Sequence, residues 1–269
     1  MKIIAIANQK GGCAKTSTVV NLAAALGEKK FKILIIDLDP QANATFWLNA
    51  ETNGICSSSL FSIDQKIKKL IVNTSANSVD IIPASEKLSD LTLSVSTNFE
   101  QLKQNLSFTE LNYDFVILDT PPTLGFITQN ALVACHKILI PVTTHILSLA
   151  GVYQLMQKVS FIQVKYNKNL SILGYVASRF DTRTRHAKDV LNSLIENFGD
   201  KVMETIIHEN IRLAEAPSFQ KSILEYAPNS KAARDYRDLA EEVIKKIVNV
   251  NAQKVCTQSK KFVDSKKNF

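Results

Sequence analysis

Residues 9–17 read Gln9-Lys10-Gly11-Gly12-Cys13-Ala14-Lys15-Thr16-Ser17, two lysines around a glycine pair with two hydroxyls behind them. Adjacent glycines let a backbone turn tightly, so that successive N–H groups aim at phosphate oxygens. A helical pattern follows at once, and its N-terminus adds partial positive charge. In that setting Lys15 reaches the β- and γ-phosphates of a nucleotide, the Thr16 hydroxyl ligates Mg²⁺, and Gly11, Gly12, Cys13, Ala14 and Ser17 complete the cradle. The pattern G-x-x-x-x-G-K-[ST] is not met, because Gln9 stands at the first glycine and Ala14 at the glycine before Lys15. The variant K-G-G-x-x-K-[ST] fits, with Lys10 as an extra cation at the front. Cys13 reads as a small filler whose backbone N–H matters. Ala14 is harmless if its φ is negative and crowds the loop if it is not.

Two acidic segments follow. Leu34-Ile35-Ile36-Asp37-Leu38-Asp39-Pro40-Gln41-Ala42-Asn43 takes a carboxylate out of an apolar strand. Asp39, just past the strand, is the candidate for orienting an attacking water, while Asp37 suits a turn or cap. Phe115-Val116-Ile117-Leu118-Asp119-Thr120-Pro121-Pro122 has the form of a Walker B segment, with Asp119 in the magnesium shell.

These motifs need strands that end together. β-branched runs at 3–8, 32–37, 79–83, 115–119, 137–142, 171–178 and 204–207 alternate with helical patterns near 15–29, 86–106, 125–135, 148–166, 184–198 and 230–249. Leu149, Val152, Tyr153, Met156, Val159 and Ile162 mark one buried helix face. Several strands are apolar on both faces, as in an open, mostly parallel twisted sheet with helices on both sides. Ligands of such α/β sheets bind at the C-terminal strand ends, where all three motifs fall.

One ATPase domain over 1–250 and a basic tail over 251–269 are expected. The tail carries five lysines against Asp264, so much of the +7 net charge lies outside the body. It reads as a solvated terminus, or else as a weak arm for nucleic acid or anionic membrane. Four scattered cysteines and no C-x-x-C pair argue against a metal cluster or disulfide framework and fit a reducing cytoplasm. No leader is visible, and the apolar runs are strand-sized.

Lys10-Gly11-Gly12-x-x-Lys15-Thr16, Asp37-Leu38-Asp39-Pro40-Gln41-x-Asn43, Asp119-Thr120-Pro121-Pro122 and Asn210-Ile211-Arg212-Leu213-Ala214-Glu215-Ala216-Pro217-Ser218-Phe219 together resemble the ParA/Soj partition ATPases, in the deviant Walker A group that includes MinD. The resemblance runs from residue 1 to about 248. It implies an ATP-sandwich homodimer with Mg²⁺, in which Lys10 crosses to the other subunit's nucleotide and Asp39 supports hydrolysis. It also implies ATP-dependent, nonspecific binding of double-stranded DNA, a ParB-like protein that stimulates turnover, and a cytoplasmic, nucleoid-associated protein of the small Soj-like type. Arg183 and Arg212 fall on the DNA-binding positions, with Arg185, His186 and Lys188 nearby, and Asn210 falls at the base edge. Ala14, Ala150 and His208-Glu209 depart from the family pattern. At 209 an arginine is lost, and with it positive field.

Three other readings stay open. In a MinD-like membrane-positioning ATPase, residues 243–248 and the lysine tail would meet lipid; against this, Phe262 and Val263 add little apolar area. Iron-protein electron transfer would need cysteines bridging a dimer, where only Cys135 is near a strand end; a ligase on the same fold has nothing positive behind it. A binding module without catalysis would release no phosphate.

Overall fold

A computed structural model describes residues 1–265 apart from 51, 53, 55, 63–66, 93–97, 109–110 and 145–147, and it leaves the side chains at 92, 108, 148–149 and 249–265 undescribed. In chain order the first half holds β1 (Lys2–Ile6), α1 (Lys15–Glu28), β2 (Ile33–Asp37), α2 (Asn43–Trp47), β3 (Val72–Asn73), β4 (Val79–Ile82), α3 (Leu88–Thr92) and α4 (Gln101–Phe108). The second half holds β5 (Phe115–Asp119), α5 (Phe126–Ala134), β6 (Lys137–Thr143), α6 (Ser148–Lys165), β7 (Ser171–Ser178), α7 (Arg185–Phe198), α8 (Ile211–Glu215), α9 (Ile223–Tyr226) and α10 (Lys231–Ser265).

The strands form one sheet in the order β3-β4-β2-β5-β1-β6-β7, all parallel except the short edge strand β3. Period-two alternation splits the core cleanly. Ile4, Ile6, Ile33, Ile35 and Ile117 face a layer built with α1, α9 and α10. Ile3, Ala5, Leu34, Ile36, Val116 and Leu118 face a layer built with α4, α5 and α6. Each such side chain contributes about 1.5–3 kcal/mol on burial, so a sheet covered on both sides needs these β-branched runs.

Four expectations change. The strand at 204–207 does not form; beside β7 there are the isolated bridges Tyr175↔Val202 and Phe180↔His208, and the Ile207 N–H donates to the Ala177 carbonyl at 2.8 Å. The reason is competition for backbone donors. The N–H groups of Glu204 and Thr205 go to the Glu242 carboxylate of α10, each at 3.0 Å, instead of to a strand. The helix expected over 86–106 is interrupted: α3 and α4 are separate, and 93–97 lie outside the described residues. On α6 the buried face is Val152, Leu155, Val159 and Ile162, with Met156 half-buried. Tyr153 points outward, its hydroxyl donating to Asn197 Oδ1 at 2.8 Å; the Leu149 side chain is outside the described set. The helix expected over 230–249 continues to Ser265 as α10, and residues 266–269 are not described.

Candidate functional site

Strand register decides where the acids meet. Asp119, the last residue of β5, is level with Ile6 of β1 on one side and Asp37 of β2 on the other. The loop leaving β1 therefore starts beside two buried carboxylates. That loop is braced from below: Asn8 Nδ2 donates to the Pro141 carbonyl at 2.7 Å, and Asn8 Oδ1 accepts from the Lys10 N–H at 3.2 Å. Gly151 near the start of α6 completes the brace, because a Cβ there would lie 3.3 Å from Asn8 Oδ1 and 3.8 Å from the Lys10 nitrogen.

Within the loop Gly12 takes φ +69°, as the turn requires. Ala14 does too, at φ +66°, so the negative φ that would have made the substitution harmless is absent. A β-carbon in this left-handed region costs about 1–2 kcal/mol. Lys15 is buried at the start of α1, its Nζ donating to the Lys10 carbonyl at 3.3 Å and lying 3.9 Å from Cys13 Sγ. Burial raises the Cys13 thiol above its ordinary pKa despite the Lys15 charge.

The three acids have distinct surroundings. Asp37 Oδ2 accepts from the Thr45 N–H at 2.9 Å and the Thr45 hydroxyl at 2.7 Å, and its Oδ1 accepts from the Asp39 N–H at 3.1 Å. Burial raises its pKa to about 6, and its contacts mark it as the anchor of α2. Asp39 Oδ1 accepts from the Gln41 N–H at 3.0 Å, and the residue faces the cavity. Asp119 is fully buried, and neither of its oxygens has a hydrogen-bond partner among the described residues. Burial first, then the Asp37 charge, drive its pKa well above the ordinary carboxylate range, against the Thr16 hydroxyl and Lys15.

An orphaned, buried carboxylate beside a hydroxyl fits a divalent cation, which would remove the desolvation penalty. Among the described residues no group of three His, Cys, Asp or Glu could hold a metal unaided. A magnesium ion at Thr16 and Asp119 would therefore draw its other ligands from phosphate and water, as this cation prefers.

A cavity of about 480 Å³ runs from Gly11–Ser17 and Asp39 to a far wall of Arg179, His208, Glu209, Asn210 and Tyr236. Arg179 was not singled out from the sequence, although it follows β7 at the same strand-end edge as Asp119. It has φ +55° and grips Glu209 by two bonds, Nε–Oε2 at 3.0 Å and Nη2–Oε1 at 3.1 Å. Arg179 thus neutralises Glu209, and the pair carries no net charge where a positive field was expected to be missing. His208 is tied to α10, its N–H and Nδ1 each 2.9 Å from Asp235 Oδ2. Asn210 caps α8, with Oδ1 accepting from the Arg212 N–H at 2.9 Å. Tyr236, also missed, comes from the second turn of α10, an ordinary-looking amphipathic helix, a setting with no local signal.

Arg183 and Arg212 lie outside the cavity. The Phe180↔His208 bridge joins their two segments. Arg183 is exposed and paired within its own loop to Asp181 at 2.8 Å, holding that carboxyl down at about 2. Arg212 Nη1 lies 3.9 Å from Glu215. Lys10 is half-buried and is not among the cavity-lining residues.

A strand, a glycine-bearing loop and a helix that bury a lysine beside an orphaned acid define a P-loop nucleotide hydrolase with a deviant phosphate loop. Residues 1–172 match the AAA domain family AAA_31. The chain is 39% identical to the sporulation initiation inhibitor protein Soj of Bacillus subtilis, over 90% of this chain and 98% of that one. It is 37% identical to the chromosome-partitioning ATPase Soj of Thermus thermophilus, over 91% and 96%. Among solved structures it is similar to a cobyrinic acid a,c-diamide synthase from Mycobacterium smegmatis with bound ADP and magnesium, at TM-score 0.77 and 30% identity over 90% and 93%. It is also similar to the septum site-determining protein MinD of Pyrococcus horikoshii complexed with Mg-ADP, at TM-score 0.72 and 25% identity over 91% and 98%. The chain belongs to the ParA/Soj family of partition ATPases. It is an ATPase, and ATP and Mg²⁺ are its substrate and cofactor.

Proposed function

We propose that this chain is an ATP-driven DNA-partition switch. ATP closes a homodimer, the dimer binds double-stranded DNA without sequence preference, and hydrolysis, stimulated by a ParB-like protein, releases it. Its place is on the nucleoid. The observation that carries this reading is the division of labour between the two loop lysines. Lys15 is buried in the nucleotide cavity, whereas Lys10 sits at the front of the same loop outside that cavity's lining. A second cation so placed suits a nucleotide held by a facing subunit. Thr16 and Asp119 hold magnesium, Asp39 orients the attacking water, and the backbone of Gly11, Gly12, Cys13, Ala14 and Ser17 cradles phosphate. Asn210 meets the base.

Arg183 and Arg212 are the DNA contacts of the switch. Bivalency makes affinity steep: a dimer presents two copies of the surface, and separating them removes the gain. DNA binding measured with ATP, with ADP and without nucleotide tests the proposal on wild type, Arg183→Ala and Arg212→Ala. ATP-dependent binding is expected, with each variant weakening it about tenfold or more and lowering the salt slope by about two, one contact from each subunit. Equal retention in all nucleotide states, indifferent to both substitutions, would sink it.

A further inference from the structure

Residues 120–180 contain no Asp or Glu, in a chain that has 25 of them, yet they carry Lys137, Lys158, Lys165, Lys168 and Arg179. This stretch builds α5, β6, α6 and β7, one whole flank of the sheet. The cations of α6 are presented on its outer side. Lys158 Nζ lies 5.6 Å from the centre of the Phe161 ring, and Lys165 Nζ lies 5.7 Å from that ring and 5.3 Å from Tyr166. Aromatic faces hold ammonium groups in place without neutralising them. Among the described residues no carboxylate pairs with Lys158, Lys165 or Lys168. Lys165 also answers the dipole of the helix end, but Lys158 lies mid-helix and Lys168 lies beyond it.

Like charges gathered on one face repel, and a polyanion relieves that repulsion. A second basic segment stands at the far end of the neighbouring helix α7. Tyr153 links α6 to α7 through its bond to Asn197 and its ring contact with Phe198, 6.1 Å between centres. α7 begins two residues after Arg183 and carries Arg185, His186 and Lys188. Lys158 and Lys165 are seven residues apart, about 10 Å along the helix axis, well inside one turn of duplex. Among the described residues of α6 the exposed large apolar side chains are Tyr153, Phe161 and Val164, too little for a helix fixed on its own domain to insert into lipid.

We infer that the outer face of α6 and the turn that follows it, through Lys158, Lys165 and Lys168, is a further phosphate-backbone contact for double-stranded DNA, separate from the Arg183 and Arg212 loops. It rests on the reading of this chain as a DNA-binding switch. The contact is sequence-blind, because lysine ammonium groups meet phosphates as point charges.

The test is a salt series of duplex binding by fluorescence anisotropy, with ATP and Mg²⁺, on the full chain. Wild type is compared with Lys158→Gln/Lys165→Gln/Lys168→Gln and, separately, with Arg183→Ala/Arg212→Ala; melting curves confirm that each is folded. The triple variant is expected to lower the log–log salt slope by about 2–3 for each subunit that engages the duplex and to weaken binding about tenfold or more, with DNA-free ATP turnover unchanged. A wild-type slope in the triple variant, alongside a reduced slope in the arginine variant, overturns this inference and leaves the switch standing. No duplex binding by wild type in any nucleotide state overturns both. Lysine-dependent pelleting with phosphatidylglycerol vesicles, at an unchanged DNA slope, assigns the face to lipid and overturns it as well.

Discussion

Asp119 is a carboxylate that this fold buries without a protein partner, and its consequences are measurable. Its pKa is raised in the folded state, so the neutral acid is the form that the metal-free fold tolerates. Stability from this group is fully present below the unfolded carboxylate pKa and is lost as pH rises through the folded one. Asp119→Asn should therefore stabilise the metal-free protein by roughly 1–3 kcal/mol at pH 8 and by little below pH 4, while Mg²⁺-dependent ATP binding disappears. Denaturant titrations at the two pH values check the first part and calorimetry the second. Ala14→Gly should raise stability by about 1 kcal/mol, since glycine removes the left-handed strain at φ +66°. An unchanged denaturation midpoint would count against strain in that loop. The chemistry of both residues was legible from type and spacing. The dihedral of Ala14 and the isolation of Asp119 were not, because both depend on neighbours distant in the chain.

Elements position these residues through contacts that motifs do not reveal. Asn8 stitches the phosphate loop to β6, and α6 comes close enough at Gly151 that a methyl group would press on Asn8. Gly151→Ala should leave the protein folded and reduce ATP turnover about tenfold, by displacing residues 8–10. Turnover equal to wild type would show that the loop tolerates the shift. α10 holds the far wall of the cavity through Asp235, which accepts from His208, and Glu242, which accepts from Glu204 and Thr205. Asp235→Ala leaves the partly buried His208 N–H without its acceptor, a loss of about 1 kcal/mol, and should raise the ATP Kd several-fold by loosening 208–210. Calorimetric titration with the slowly hydrolysed nucleotide AMPPNP reads it directly. The β-branched runs announced six strands correctly; at 204–207 Glu242 of α10 takes the Glu204 and Thr205 donors, a long-range competition that local patterning does not encode.

For the molecule as a whole, the two loop lysines should separate experimentally. Lys15→Ala should abolish nucleotide binding, whereas Lys10→Ala should keep ATP affinity within about threefold and lose turnover more than tenfold, if its work is done across a dimer. Calorimetry and phosphate release together decide it, and loss of affinity in both variants would place Lys10 in its own subunit's site. The relatives show why the architecture alone does not choose a function: solved structures of this shape include proteins titled as a diamide synthase and as a septum site-determining protein. The ordered strand-end motifs, and identity to Soj proteins over nine tenths of the chain, make that choice. By itself the sequence determined the layer architecture, the phosphate loop, the acids at the strand ends and the family, because each is written in local residue type and periodicity. Only the tertiary structure decided that Asp37 anchors a helix while Asp119 stands unpaired, that Arg179 answers Glu209 across the cavity wall, and that α10 shapes that wall. Those outcomes follow from which strands become neighbours and which side chains reach across them, and no segment carries that information alone.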